Sequence, residues 1–182
     1  MNRRRLNVLF LCTSNSARSI MAEALLNRSG RGRGRWRGLS AGTDPKGFVH
    51  LEALSLLRRL RFETARLRSK DWTEFAHTGA PDLDLVITLC DGAAHRTAPE
   101  WPGNAMTAHW GVPDPVIDGT AVDVSHAFAS AFQLLRERIS AFTNLPFARL
   151  DDLALRGRLR EIGALRAAPP ANLGTPHDAT PV

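Results

Sequence analysis

The sequence predicts an α/β protein built on a parallel sheet with helices packed on both faces. Short apolar segments rich in strand formers alternate with longer segments whose apolar residues recur at helical spacing, a pattern typical of parallel strands joined by crossover helices. The first apolar segment, residues 7–12, is continuous, as expected for a strand buried on both faces. Both cysteines also close a predicted strand, and ligands of such sheets bind beyond the carboxyl ends of the strands.

The predicted elements follow one another as strand 7–12, helix 20–28, strand 36–41, helix 50–60, strand 83–90, strand 105–110, helix 120–142 and helix 150–162. The polar residues 13–16 separate the first strand from the first helix. Gly30 supplies the stop for that helix, and Gly42 closes the second strand.

Leucine spacing justifies the later helices. The helix at 50–60 is expected to bury one face, formed by Leu51, Leu54, Leu57 and Leu60. In the helix at 120–142, Leu134 and Leu135 are expected in the core. The acidic residues Asp71 and Glu74 are typical of a short helix start between the second helix and the third strand.

Length and composition are those of a single globular domain. The 182 residues are 43% hydrophobic and 23% charged, which excludes wholesale disorder. No apolar run approaches the ~20 residues that span a bilayer, and the basic N-terminus lacks the long apolar stretch of a signal peptide. We therefore expect a cytoplasmic protein with one domain over 1–166, followed by a disordered tail over 167–182.

Charge and cysteine content limit the possible chemistry. The net charge is +6, a sign that permits either a nucleic acid or an anionic substrate. Cys12 and Cys90 are too few for a disulfide scaffold or for a zinc site made of cysteines alone. The six histidines show no metal-ligand spacing with them, so we expect no bound metal.

The most informative segment is a Cys-x5-Arg-Ser sequence between the first strand and the first helix. A loop of this length can direct its backbone N–H groups at a tetrahedral anion, and the helix N-terminus adds a positive end. Arg18 can bind two oxygens of the anion through its planar guanidinium. The same positive field is expected to lower the pKa of Cys12 and to make it a thiolate nucleophile.

The polar residues of this loop have predicted supporting roles. Ser19 is expected to donate a hydrogen bond to the thiolate, and Asn15 tolerates a left-handed turn. The residues predicted to bind the oxyanion are Thr13, Ser14, Asn15, Ser16, Ala17, Arg18 and Ser19. A buried strand cysteine beside a salt-bridging arginine is the alternative interpretation of the same spacing.

Four segments resemble the arsenate reductases built on the low-molecular-weight protein tyrosine phosphatase fold. They are 7–26 (NVLFLCTSNSARSIMAEALL), 39–45 (LSAGTDP), 86–91 (VITLCD) and 101–115 (WPGNAMTAHWGVPDP). The resemblance implies a flavodoxin-like sheet of four parallel strands, with the oxyanion loop after the first strand. It also implies an enzyme acting on arsenate or a phosphate-like oxyanion, without a bound cofactor.

The resemblance also implies individual roles. The nucleophile of the family falls on Cys12, its oxyanion arginine on Arg18 and its general acid on Asp114, which Pro115 follows. A carboxyl group near the apical oxygen can protonate a leaving group that is otherwise poor. Considered alone, Asp114 is more simply a turn residue before a proline.

Cys90 separates two activities within this resemblance. An arsenate reductase needs a thiol to attack the cysteine–arsenic adduct, whereas a phosphatase resolves its thiophosphate with water. Cys90 falls on the resolving cysteine of the arsenate-reducing relatives; the alternative is a buried strand-end cysteine. Thiol-dependent reduction of arsenate is therefore the leading prediction, and phosphomonoester hydrolysis is the alternative. The chain has no tyrosine, which disfavours the recognition of phosphotyrosine.

The sequence departs from the thioredoxin-coupled arsenate reductases. Their third cysteine falls on Ala98, and a loop cysteine of some relatives falls on Ala17. No further thiol of this chain can take a disulfide over from Cys90, so an external thiol must reach it directly. We expect glutathione or a glutaredoxin-type protein rather than thioredoxin to act as the reductant.

One basic segment suggests a third class of function. Residues 30–38 are rich in Arg and Gly and contain Trp36, which resembles a nucleic-acid-binding segment. Because the segment falls between a predicted helix and a predicted strand, we interpret it as an exposed basic loop. We expect neither a nucleic-acid partner nor a membrane, although a non-catalytic anion-binding or nucleic-acid-binding module stays open at this point.

Overall fold

Residues 5–29, 34–96, 101 and 103–166 are described by the computed structural model of the protein. Within them the elements are β1 (Leu6–Cys12), α1 (Arg18–Arg28), β2 (Trp36–Gly42), α2 (Leu51–Arg59), a 3-10 helix (Trp72–Phe75), β3 (Leu85–Thr88), α3 (Asp91–Ala94), β4 (Met106–His109), α4 (Ala121–Thr143), a second 3-10 helix (Phe147–Arg149) and α5 (Asp152–Gly163).

The four strands form one parallel sheet in the order β2-β1-β3-β4. Strand β1 pairs with β2 on one side and with β3 on the other, which explains its continuous apolar sequence. In the register of these pairs, Cys12 lies opposite Gly42, and Leu11 lies opposite Thr88. The predicted parallel α/β sheet is confirmed, and its carboxyl edge collects the ends of all four strands.

Helices cover both faces of the sheet. The Phe10 ring lies 6.4 Å from Trp110, which in turn lies 5.9 Å from Phe142 of α4, so Phe10 faces the layer that contains α4. The helices α1 and α5 contact the sheet and α4, and therefore belong to the same layer. Leu11, which alternation turns to the other face, lines a cavity with Trp72 of the first 3-10 helix and residues of α3.

The face that α2 buries differs from the prediction. Leu51 and Leu60 are 81% and 41% exposed, so the predicted leucine face is wrong at both ends. The buried residues of the helix are Ala53, Leu56 and Leu57. The cause of this difference lies at the N-terminus of α2. There His50 caps the helix and stacks on Phe128 of α4, with 4.8 Å between the ring centroids. In α4 itself, Leu134 and Leu135 are buried as predicted.

Strand β3 ends before the predicted boundary. It stops at Thr88, and residues 91–94 form α3, a short helix that the apolar pattern did not indicate. Cys90 is the N-cap of that helix, which places it just beyond the strand rather than within it. No helix among the described residues is long and apolar enough to cross a membrane.

In the described part of the Arg-Gly segment, Trp36 and Gly38 are buried, whereas residues 34, 35 and 37 are exposed. Trp36 is 6% exposed and packs between Phe142 and Phe147, so its ring is not available for stacking on a base. Arg35 lies over the rings of Trp36 and Phe147. Residues 30–33, Ala98 and the predicted tail at 167–182 lie outside the described residues.

Candidate active site

The candidate site is the loop between β1 and α1 at the carboxyl edge of the sheet. Strand β1 delivers Cys12 to the base of the loop, and Arg18 begins the helix that follows. Asn15 has a φ of 42°, a left-handed conformation that asparagine tolerates better than most residues. Ala17 is the N-cap of α1 and is buried.

The loop turns its carbonyl groups outward, where a second segment binds them. The carbonyls of residues 12, 13, 14 and 16 accept hydrogen bonds of 2.9–3.2 Å from the N–H groups of residues 43, 44, 46 and 50. Because the C=O and N–H of a trans peptide point in opposite directions, these bonds orient the N–H groups of the loop toward its concave side. This is the arrangement that an oxyanion requires.

Gly42, at the end of β2, permits this close approach. A Cβ atom at this position would lie 2.6 Å from the carbonyl oxygen of Thr13 and 3.0 Å from Cβ of Asn15. The first contact is too short for any side chain and is with backbone, and the second is tight. The segment 39–45 resembles the family in sequence, but the sequence alone did not indicate that it supports the loop.

Cys12 and the predicted polar residues of the loop form one contact network. The Sγ atom of Cys12 lies 2.9 Å from Oγ of Ser19, which accepts a 2.8 Å hydrogen bond from Nδ2 of Asn15. The hydroxyl groups of Ser14 and Ser16 lie 3.0 Å apart, and Ser16 is buried. Cys12 is 1% exposed, so the base of the loop is closed to solvent.

Arg18 is held between the loop and the segment that follows β4. Its guanidinium donates to the carbonyl of Val112 at 3.1 Å and to Oδ2 of Asp114 at 2.6 Å. The Asp114 side chain is 53% exposed, and its other oxygen accepts from the N–H of Val116. The structure therefore brings the predicted arginine and the predicted general acid into direct contact.

The direction of the Cys12 pKa contradicts the sequence prediction. Burial raises the pKa of the thiol above its ordinary value, because the thiolate loses its hydration inside the loop. Hydrogen bonds from Ser19, the charge of Arg18 and the N–H of Asn15 act in the opposite direction but are outweighed. The prediction of a lowered pKa was wrong because it counted the positive field and omitted desolvation.

Cys90 lies beside the loop but makes a different contact. Its Sγ atom is 3.4 Å from Oγ1 of Thr13, and the residue is 9% exposed. The N–H of Leu89 donates to the carbonyl of Leu11, which continues the pairing of β1 with β3 beyond the last strand residue. Gly92 lies under Thr13, since a Cβ atom there would be 2.8 Å from Oγ1 of that residue. Both cysteines are free thiols.

Three residues that the sequence analysis missed support the loop from behind. Ser40, Glu23 and Lys70 are connected to Asn15 by hydrogen bonds and an ion pair. Ser40 and Lys70 are buried. One signal was present in the sequence: Lys70 is one of only two lysines among 24 basic residues.

The fold and the site together define a class of protein: an α/β protein that presents a buried cysteine and an arginine from the loop between its first strand and first helix. The sequence model of the family described as low molecular weight phosphotyrosine protein phosphatase matches residues 7–152 of this chain. The chain belongs to this family.

Several relatives within this family are named arsenate reductases. The chain is 33% identical to arsenate reductase 1 of Bacillus cereus over 138 residues, which cover 74% of this chain and 88% of the relative. It is 30% identical to the arsenate reductase of Bacillus subtilis over 132 residues, covering 72% and 88%. It is also 30% identical to the glutaredoxin arsenate reductase of Synechocystis over 132 residues, covering 72% and 92%.

Solved structures show the same fold. An arsenate reductase in a phosphate-binding state is 27% identical, with a TM-score of 0.57 over 76% of this chain and 96% of the other. The sulphate complex of the tyrosine phosphatase Wzb from Escherichia coli K30 is 23% identical, with a TM-score of 0.59 over 77% and 97%. These matches confirm the predicted four-stranded phosphatase-like fold.

Proposed function

We propose that this protein reduces arsenate to arsenite, with Cys12 as the nucleophile and Cys90 as the resolving thiol. The observation that carries the proposal is the juxtaposition of two free thiols at the carboxyl ends of neighbouring strands. The arsenate reductase relatives support an enzyme that reduces arsenate. The roles of the individual residues are argued from the geometry of the site.

Binding of the oxyanion is assigned to the concave side of the loop 13–19. Backbone N–H groups and the N-terminus of α1 supply partial positive charge, and Arg18 supplies a full one. The anion competes with Asp114 for the guanidinium of Arg18, because the two groups are 2.6 Å apart. Binding therefore releases the Asp114 carboxyl group next to the oxygen that has to leave.

The first chemical step joins Cys12 to arsenic. The thiolate attacks the arsenic(V) centre, an As–O bond breaks, and Asp114 donates a proton so that the oxygen leaves as water. The raised pKa of Cys12 means that the thiolate forms less readily near neutral pH than a positive loop alone would suggest. The Ser19 hydroxyl, 2.9 Å from Sγ, offsets part of this cost.

The second step reduces arsenic. The Cys90 thiolate attacks the sulfur of Cys12, and the electron pair of the S–As bond passes to arsenic, which leaves as arsenite. Each cysteine loses one electron, and the Cys12–Cys90 disulfide accounts for both. The pairing register sets Cys90 beside Thr13 rather than beside Cys12. Closure of the disulfide therefore requires the first residues of α3 to shift, which a helix of four residues permits.

The third step is proposed to use a small thiol. Glutathione or a glutaredoxin-type protein attacks one sulfur of the disulfide and forms a mixed disulfide, which a second thiol then resolves. The name of the Synechocystis relative is consistent with a glutaredoxin-type donor, whereas one structural neighbour, 21% identical and so informative on fold alone, is a thioredoxin-dependent enzyme. Among the described residues no further cysteine can relay the oxidation.

The test supplies arsenate to the purified protein with two reductant systems in parallel, glutathione with glutaredoxin and thioredoxin with its reductase, and includes a control without thiol. We expect arsenite production with glutathione and glutaredoxin and poor turnover with thioredoxin. Mass spectrometry of protein trapped after one turnover should find Cys12 linked to Cys90. A phosphomonoester offered in the same buffer tests the alternative activity. Hydrolysis of that ester without any arsenite formation contradicts the proposal.

A further inference from the structure

We propose that helix α5 positions the segment that carries Asp114, and that Arg138 of α4 is the positioning residue through which it does so. The inference rests on the proposed role of Asp114 as the general acid, but hydrogen exchange in the segment tests it without arsenate. The family match ends at residue 152, where α5 (Asp152–Gly163) begins. The helix therefore lies almost wholly beyond the part of the chain that the family match covers.

Arg138 is a buried arginine that joins two separate segments. One amino group of its guanidinium donates to the carbonyl of Gly111 at 3.0 Å, and the other donates to the carbonyls of Gly163 and Leu165, each at 2.8 Å. The residue is 3% exposed. Because the guanidinium is planar and presents its donors in a fixed fork, Arg138 holds the end of α5 and the segment after β4 at a set separation.

Two direct contacts join α5 to the same segment. The indole Nε1 of Trp110, which is fully buried, donates to the carbonyl of Leu159 at 3.0 Å. At the end of the helix, a Cβ atom on Gly163 would lie 2.5 Å from the carbonyl oxygen of His109, a distance too short for any side chain. The consecutive residues 109–111 therefore each contact α5, either directly or through the buried arginine.

The position of this segment determines where Asp114 lies. The N–H of Val112 donates to the carbonyl of Leu89 at 2.9 Å, and its carbonyl accepts from Arg18 at 3.1 Å. Pro113 is the one residue between Val112 and Asp114, and its ring fixes its φ. The backbone of Asp114 therefore follows that of Val112 closely, so the contacts of the three preceding residues restrain the general acid.

The Asp114 side chain has few other contacts that fix its position. It is 53% exposed, and its described hydrogen bonds are those from the guanidinium of Arg18 and from the N–H of Val116. When an oxyanion binds Arg18, the first of these bonds is lost. The carboxyl group then stays near the leaving oxygen because the backbone that α5 supports holds it there.

A purely structural role of α5 predicts a different result. Strand β4 is an edge strand of the sheet and α5 packs against it, so the helix also protects that edge. A helix that only stabilises the fold would influence every step of the reaction, whereas a helix that positions Asp114 influences only the steps that need this carboxyl group. A double substitution that removes both groups separates the two roles.

The first experiment compares the parent protein with Arg138→Met, Asp114→Asn and the double variant, using single-turnover formation of the adduct with arsenate. Arg138→Met should slow adduct formation by at least about 10-fold, because a displaced acid no longer reaches the leaving oxygen. In the Asp114→Asn background the same substitution should slow it by less than about 2-fold. Arg138→Met should not weaken phosphate binding, since the loop 13–19 is intact. Arg136→Met removes an exposed arginine of the same helix and should change neither quantity.

Hydrogen exchange tests the support of the segment without any chemistry. In Arg138→Met the amide hydrogens within residues 110–116 should exchange at least about 10-fold faster than in the parent, and those of residues 13–19 should not change. Gly163→Ala should have the same effect to a smaller degree, because its methyl group pushes the helix end away from the segment. Gly157→Ala, on the same helix, is the matched control, since nothing lies within 4 Å of a Cβ atom there.

Unchanged exchange over residues 110–116 in a folded Arg138→Met protein, as judged by circular dichroism, would overturn the inference. Slowing of adduct formation by the same factor with and without the Asp114 carboxyl group would also overturn it, because that result gives α5 a structural role alone. If Arg138→Met does not fold, Gly163→Ala takes its place, and exchange no faster than in Gly157→Ala counts against the inference. If the parent forms no adduct with arsenate, the proposed function fails, while the exchange measurement still decides whether α5 supports the segment.

Discussion

Cys12 ends one strand of the sheet and Cys90 follows the neighbouring strand, yet their surroundings differ. Cys12 is closed in by a loop whose carbonyls accept hydrogen bonds from residues 43–50, and its sulfur lies 2.9 Å from the Ser19 hydroxyl. Cys90 caps a four-residue helix, and among the described hydrogen bonds its Sγ atom meets only the side chain of Thr13. A nucleophile needs a fixed geometry, whereas a thiol that must reach another sulfur needs freedom to move.

The largest expected effect is that of Cys12→Ser. It should reduce arsenate reduction and any phosphatase activity to background, because serine cannot form the arsenic adduct under these conditions. The fold should persist, since serine is close to cysteine in size and the only side-chain hydrogen bond described for Sγ is with Ser19. Steady-state assays with both substrates and a thermal denaturation curve provide the check. Residual arsenate reduction above about 1% of the parent activity would show that Cys12 is not the nucleophile.

Cys90→Ser should separate the formation of the adduct at Cys12 from its later resolution. The variant should still form the covalent adduct at Cys12, because it leaves the oxyanion loop intact. Multiple turnover should fall close to background unless a small thiol attacks the adduct in its place. Intact-mass measurement of the adduct, together with turnover at increasing glutathione, distinguishes these outcomes. Unchanged turnover at low glutathione would show that Cys90 is only a buried strand-end residue.

Asp114→Asn should slow only the formation of the covalent adduct at Cys12. Adduct formation should slow by about 10²–10⁴-fold, the usual contribution of a general acid. Phosphate should bind no more weakly than in the parent, because the neutral amide competes less for Arg18 than the carboxylate does at 2.6 Å. Single-turnover kinetics and phosphate titration measure the two effects. Asp118→Asn, in the same segment, is the control and should alter neither.

Two glycine substitutions compare the rigidity of the two regions. Gly42→Ala should destabilise the protein by about 1–3 kcal/mol, because the new methyl group meets the Thr13 carbonyl at 2.6 Å and backbone has to move. Gly92→Ala should cost less than about 1 kcal/mol, since its 2.8 Å contact is with a hydroxyl that can rotate away. Urea unfolding measures both. Equal losses would indicate that the two cysteines sit in equally rigid surroundings.

The smallest expected effect is a change in the pH dependence of stability. Burial raises the pKa of Cys12, so the folded protein binds more protons than the unfolded chain, and the free energy of unfolding should fall as the pH rises above ~8.5. The chain has no tyrosine and only two lysines, so few other groups titrate there. Cys12→Ser should flatten the dependence of the unfolding free energy on pH. Cys90→Ser should retain more of that dependence than Cys12→Ser does. Parallel slopes in all three proteins would contradict the assigned cause.

Local sequence patterns were sufficient to predict the sheet and the loop. The continuous apolar run of β1 and the Cys-x5-Arg-Ser spacing are properties of short segments, and both strand and loop lie where those segments predicted. The buried face of α2 was not predictable, because it depends on His50 meeting Phe128 some 78 positions away. The same holds for the support of the loop by Lys70, which is 55 residues from Asn15.

The direction of the Cys12 pKa was missed for a related reason. The positive groups around the thiol are evident in the sequence, but its degree of burial depends on strands and helices from the whole chain. The contact of Arg18 with Asp114 likewise joins residues 96 positions apart. Motif spacing identified the participants, and their electrostatic balance required three-dimensional packing.

The bonds that residues 43–50 make to the loop also set an order of events during synthesis. When the chain has emerged only as far as Gly42, the complete cysteine motif is present, but the N–H groups that orient its peptides are not. Strand β3 and Asp114 follow later still, so at about 5–20 residues per second several seconds pass before the Cys12 thiol is covered. Oxidants and electrophiles in the cell therefore have their best access to this thiol on the ribosome, before the finished enzyme exists.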